Sequence, residues 1–311
     1  MNFFTTPAFL TPLVGLASGP AVGLALYLAV IAAASFAGGT TASLMALGHR
    51  RMQVLLSMTG GVMLGVALLH LLPHAYLESG GDIDGTARWV LAGFFLMFLL
   101  ERAFHGHAHH SAEGDHCGHD HAHGREHGGR AATAGRWAWC GAFAGLALHS
   151  LVDGAALAAS VHADGGQGAG LLSGFATFFA IVLHKPFDSL MIATLMIAAG
   201  TTPRLRRATT FFYALIVPIG AIAFHWSLGL LGDRADDVLA AAMAMAAGAF
   251  LCIAAADLLP EVEFHSHDRL FLTASLVVGI AVAWGMTVLE HASHAHAMHE
   301  RGHAAGHDHG P

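Results

Sequence analysis

Residues 145–154 read Gly-Leu-Ala-Leu-His149-Ser150-Leu151-Val152-Asp153-Gly154, and residues 181–189 read Ile-Val-Leu-His184-Lys185-Pro186-Phe187-Asp188-Ser189. Each segment sets a histidine and an aspartate four residues apart inside an apolar run. On a helix, positions i and i+4 lie one above the other on the same face, so each run aims an imidazole and a carboxylate at one point. Ionisable groups within an apolar span are costly and point first to function. Histidine with carboxylate is a ligand set for divalent metal. Two such pairs in consecutive spans predict a metal site held between transmembrane helices.

The composition fits that setting. The chain is 55% hydrophobic and 11% charged, and several stretches reach the roughly 20 residues that cross a bilayer. Cys117, Cys140 and Cys252 are too few and too scattered for a disulfide framework or a cysteine-rich zinc site. The N-terminus has no basic segment followed by a cleavage site, so no removable signal peptide is expected. Net charge is -7 with histidines neutral, and 25 histidines dominate the polar chemistry. No basic patch suggests nucleic acid, and nothing resembles a soluble catalytic domain.

Eight spans are predicted, near 21–47, 52–78, 86–104, 137–160, 168–199, 208–231, 237–263 and 269–290. Loop charge orients them. Arg50 and Arg51, then Arg102, Arg125, Arg130 and Arg136, then Arg204, Arg206 and Arg207, and finally Arg269 fall on one side if the spans alternate. The other side holds only Arg88, Arg234 and Arg301, with Glu78, Asp82, Asp84, Asp164, Asp233, Asp236 and Asp237. The positive-inside rule then puts both termini outside the cytoplasm. Residues 1–104 carry spans 1–3, 137–199 carry spans 4 and 5 with the central site, and 200–290 carry spans 6–8.

Two segments are rich in histidine. The cytoplasmic loop 105–136 includes His105, His107, His109, His110, His116, His119, His121, His123 and His127, and the tail 291–311 includes His291, His294, His296, His299, His303, His307 and His309. Both are rich in Gly and Ala and short of core formers, so both are expected to be disordered. Metal buffering or sensing competes there with the plainer reading of a solvated chain.

Spans 2 and 7 end in similar words. His70-Leu71-Leu72-Pro73-His74 and Asp257-Leu258-Leu259-Pro260-Glu261 each frame Leu-Leu-Pro with metal-capable groups. The two spans run in opposite directions, which hints at an inverted repeat with a site near the midplane. The four pairs mark a route: capture at one face, binding in the middle, release at the other. Met63, seven residues before His70, is a weaker thioether candidate. Duller readings stay open. His149 and His184 can be helix-packing groups, Asp153 can pair with Lys185 in a buried salt bridge, and the groups at the ends of spans 2 and 7 can simply be solvated.

These words resemble the ZIP family of divalent-metal transporters. His149-Ser150-Leu151-Val152-Asp153-Gly154 is similar to that family's fourth-span His-Asn-x-x-(Asp/Glu)-Gly motif, His184-Lys185-Pro186-Phe187-Asp188-Ser189 to its fifth-span motif, and Asp257–Glu261 to its seventh-span segment. The resemblance covers roughly 20–290. It implies an all-α membrane protein with eight transmembrane helices in a 3+2+3 inverted-repeat arrangement. It also implies a central metal site from His149, Asp153, His184 and Asp188, with Asp257 and Glu261 towards the cytoplasmic exit and Met63 near a second-span ligand position. The chain departs from the pattern of relatives that hold two metals. Ser150 replaces Asn, Lys185 stands where those relatives have a carboxylate, and Val217-Pro218-Ile219-Gly220 is apolar where a Glu is expected. An ammonium can replace a cation's charge, so one central metal is expected, with Lys185 neutralising Asp153 or Asp188.

The expected activity is uptake of zinc towards the cytoplasm, with Fe, Mn, Cd and Co as further candidate ions, by a multi-pass protein of a bacterial inner (plasma) membrane. No catalytic cofactor is expected; zinc enters as cargo. The expected partners are divalent metal ions and the lipid bilayer, with a homodimer as the assembly to look for. The chain has no nucleotide-binding Gly-x4-Gly-Lys-(Ser/Thr) motif. Three competing readings are a cation-diffusion-type zinc exporter, which resembles six spans plus a soluble domain; an intramembrane zinc hydrolase assisted by Ser150 or Ser189; and a non-transporting metal sensor. Deleting 105–127 should leave metal uptake largely intact and alter only its regulation or apparent affinity. Complete loss of uptake by a correctly inserted deletion variant would contradict this.

Overall fold

A backbone amide in hydrocarbon has no water to bond, so a spanning segment must satisfy its own N–H and C=O groups as a helix. The computed structural model describes residues 19–41, 49–109, 128–167, 172–264 and 269–305, with side chains described over 20–41, 52–102, 139–165, 172–232, 234–256 and 270–289. Among these residues all regular structure is helical, and eight helical segments are long and apolar enough to cross a membrane.

The first span is α1 (Gly19–Thr41). The second is built in three pieces: α2 (His49–Val66), a π-helical turn (Ala67–Leu71) and α3 (Leu72–Glu78). The turn lies just ahead of Pro73, which has no N–H to return to the chain before it. The third span is α4 (Ile83–His109), the fourth α5 (Gly128–Gln167) and the fifth α6 (Phe175–Ala198). The sixth is broken at Leu215 into α7 (Pro203–Ala214) and α8 (Ile216–Leu231). Pro218 lies four residues past Ala214 and cannot bond its carbonyl. The seventh is α9 (Ala235–Phe264) and the eighth α10 (Arg269–Ala305).

Four pairings dominate the packing: span 1 on 5, 4 on 6, 2 on 8 and 3 on 7. Exchanging spans 1, 2, 3 and 4 with 6, 7, 8 and 5 turns the first pairing into the second and the third into the fourth. That is the symmetry of a 3+2+3 inverted repeat. Each pairing is closed by glycine at the contact. Gly154 lies against the Val217 and Gly220 backbone, Gly61 against Leu276 and Gly279, Gly248 against Val90, and Gly38 against Pro186. Helices in lipid have no hydrophobic drive to associate, so close backbone approach is what holds them. Side chains facing away from these seams, such as Trp89, Leu91, Phe95, Trp226, Leu230 and Trp284, are exposed apolar groups, as hydrocarbon requires.

Some boundaries differ from the sequence reading. The fourth helix continues past 160 to Gln167, so Asp164 is a buried helical residue and not part of an acidic loop. The fifth helix begins at Phe175, after Gly174 takes a left-handed turn. In the histidine-rich segments, α4 runs through His109, α5 already starts at Gly128, and α10 runs to Ala305. Alanines recurring along the tail favour helix over coil. Residues 110–127 and 306–311 lie outside the described residues.

The glycine seams give a direct check. Gly154→Val would drive a side chain into the Val217 carbonyl, whereas a Cβ at Gly285 meets nothing within 4 Å. Gly154→Val should cost on the order of 1–3 kcal/mol or more and reduce monodisperse protein in detergent, with Gly285→Val at wild-type yield. Equal yields would show that the span 4–6 seam tolerates separation.

Candidate metal centre

The two His-x3-Asp words meet midway along spans 4 and 5. His149 Nε2 lies 3.2 Å from Asp153 Oδ2 and 3.8 Å from Asp188 Oδ2, and His184 Nε2 lies 3.3 Å from Asp153 Oδ2. One donor atom each from His149, His184 and Asp188 falls within 4.8 Å of the others. The Ala180 carbonyl accepts a hydrogen bond from His184 Nδ1 at 2.8 Å. A neutral His184 then presents a lone pair at Nε2, the form a metal takes. Phe250 of span 7 stands edge-on to the same ring.

Lys185 organises the rest. It is fully buried, and its ammonium contacts Asp153 Oδ2 and also Asp188 Oδ2 at 2.9 Å. It donates to Ser150 Oγ at 3.0 Å, and Tyr213 donates to Asp188 Oδ2 at 3.2 Å. Ser150 bonds the Leu146 carbonyl and the Tyr213 hydroxyl, and Ser189 bonds Ser35 of span 1. Both serines are thus engaged in holding helices and the lysine. The buried salt bridge expected as an alternative for Asp153 is present, and it coexists with the ligand cluster. His149 Nδ1 and Asp153 Oδ1 are buried with no hydrogen-bond partner among the described residues. Buried polar atoms are normally satisfied, so these two are exceptions in an otherwise bonded network.

Asp188 is the most open member, its side chain 16% exposed against 6% or less for the other three. It faces a cavity of about 450 Å³ that also touches His149 and His184 and extends to Met52, Glu101 and Thr194. Those three lie near the ends of spans 2, 3 and 5 that adjoin the arginine-bearing connections. The centre therefore opens towards that end of the helices.

A second cluster lies towards the opposite end. His70 and His74, on the π turn and α3, have ring centroids 4.7 Å apart. Asp164 of α5 meets them, with Oδ2 3.9 Å from His70 Nε2 and Oδ1 3.6 Å from His74 Nδ1. All three are buried, and one donor atom from each falls within 4.8 Å of the others.

Sequence reasoning missed Asp164, though a signal was there: it follows Asp153 by eleven residues, about three helical turns, on the same face. Tyr213 and Glu101 were also missed as site residues, and no spacing rule marks them; Ser150, noted in the sequence as the replacement for the motif's Asn, proves to be a partner of Lys185. Met63 is fully buried in the apolar core, and no described contact sets its sulfur at either cluster. Asp257 and Glu261 belong to α9 by backbone, but their side chains lie outside the described residues.

Among protein-family models, the one described as ZIP zinc transporter matches residues 21–290. A comparison with curated proteins finds no match. The geometry makes Tyr213 a positioning group for Asp188. Tyr213→Phe should weaken zinc binding at the centre about tenfold or more without changing the helical fold, as read by zinc titration. Unchanged affinity would show that Lys185 alone places Asp188.

Proposed function

The chain belongs to the ZIP zinc transporter family and transports divalent metal across the membrane in which its eight helices sit, and we propose that it carries chiefly zinc, towards the cytoplasm, through the His149/His184/Asp188 centre. The observation that supports this reading most is the convergence of those donors in mid-span, beside a cavity leading to one end of the helices. By the positive-inside rule that end is cytoplasmic, which makes the arrangement inward-open with both termini outside. A set of imidazole and carboxylate strips water from an ion yet releases it, as conduction requires. It suits zinc first and admits Fe, Mn, Cd and Co. Asp257 and Glu261 would take the ion on towards the exit, and the metal gradient alone would drive it. A six-span exporter plan does not fit eight spans.

Lys185 sets the number of ions. Asp153 and Asp188 with one ammonium leave a single negative charge when the histidines are neutral. One divalent ion turns this to a single positive charge; a second would make it triple, in a medium that penalises charge. We therefore assign one ion to the centre. Zinc uptake into proteoliposomes tests the function. Wild type should accumulate zinc, while correctly folded His149→Ala and Asp188→Ala should fall to the level of protein-free vesicles. Wild-type rates in both would overturn the site.

A further inference from the structure

The cluster at the other end of the bundle has no part in the ion's mid-membrane coordination, and its construction is specific. The π turn shifts the register of span 2 so that Leu72 N–H bonds back to Ala67. Such turns inside α-helices recur at functional sites. Here it brings His70 and His74 beside one carboxylate. That carboxylate is itself anchored: Asp164 Oδ2 accepts the Gly174 N–H at 2.7 Å. Gly174 has φ +72°, and a Cβ there would strike Val161. The turn that starts span 5 thus fixes the aim of Asp164 at the histidines of span 2.

The two sides of the cluster belong to different packing groups. Span 2 packs chiefly on 8 and 7, and span 3 on 7; span 4 packs chiefly on 6, and span 5 on 1. Between the cluster and the centre, about 16 Å apart along α5 by helical rise, the space is filled. Leu157 and Ala180 are fully buried, and Ser160 bonds Thr177 at 2.7 Å. An ion here is cut off from the cavity that serves the centre.

We propose that His70, His74 and Asp164 form a second divalent-metal site, and that an ion bound there staples span 2 to the span 4–5 corner and holds that end of the transporter shut. Two imidazoles and a carboxylate are a zinc-type set with room for a fourth ligand. Bonds from one ion to both packing groups hold them together, so separating the two requires the ion to leave. The site rests on its own geometry and survives if the central assignment fails.

The test uses full-length protein in nanodiscs with the centre disabled by His149→Ala and Asp188→Ala, and zinc chloride as the probe. Beyond the zinc held by the histidine-rich segments, this variant should bind one further zinc per chain, and zinc should slow hydrogen exchange at 67–78 and 160–167. Adding Asp164→Asn or, separately, His70→Ala should lower the zinc bound by one per chain and abolish the slowed exchange, with helicity and metal-free exchange unchanged to show that the fold persists. Equal zinc stoichiometry with and without either added substitution overturns the site. Zinc bound without slowed exchange overturns the staple.

Discussion

One ammonium between two carboxylates governs the middle of this membrane protein. Lys185 meets Asp153 and Asp188 at once, where hydrocarbon surrounds the bundle and water is scarce. Unpaired, either carboxylate would be untenable there; removing one partner from a buried ion pair costs about 3–5 kcal/mol. The lysine makes the metal-free centre stable and fixes which ligands face the cavity. Asp153 is held back against Lys185, while His149, His184 and the more open Asp188 converge beside the cavity. Ser150 and Tyr213 finish the network by holding the ammonium and Asp188.

That network needs spans 4, 5 and 6 to approach closely, and the glycine seams allow it. Gly154 follows directly after Asp153 and lies against the backbone of α8, and Gly220 meets Leu151 in return. The same device closes spans 2 on 8 and 3 on 7, the partners that the inverted repeat exchanges. Packing and chemistry share one symmetry: His149/Asp153 corresponds to His184/Asp188, and the Leu-Leu-Pro word of span 2 to that of span 7. The proline-bearing word of span 2 is where a π turn gathers His70 and His74 at a carboxylate.

Much of this was legible in the sequence because membranes simplify the reading. Hydropathy and loop arginines gave eight spans, and the i,i+4 spacing gave the four central groups. Lys185 also stood out, as a charge in an apolar run. What stayed hidden depended on contacts between spans. Asp164 read as a loop acid because Gly165 and Gly166 follow it, yet the helix carries it inward to meet span 2. Tyr213 looks like any aromatic in an apolar helix until the break at Leu215 and the packing of span 6 on span 4 bring its hydroxyl to Asp188. Glu101 closes span 3 and became a cavity residue only when span 3 was placed beside the centre. Single-helix periodicity carries no information on such pairings.

Zinc anomalous diffraction from crystals of the zinc-loaded protein tests the account of the centre most directly, because it locates each ion among its ligands. One anomalous peak bounded by His149, His184 and Asp188, with Lys185 still against Asp153, is the predicted result. Two peaks bridged by Asp153 and Asp188, with the lysine displaced, would contradict it.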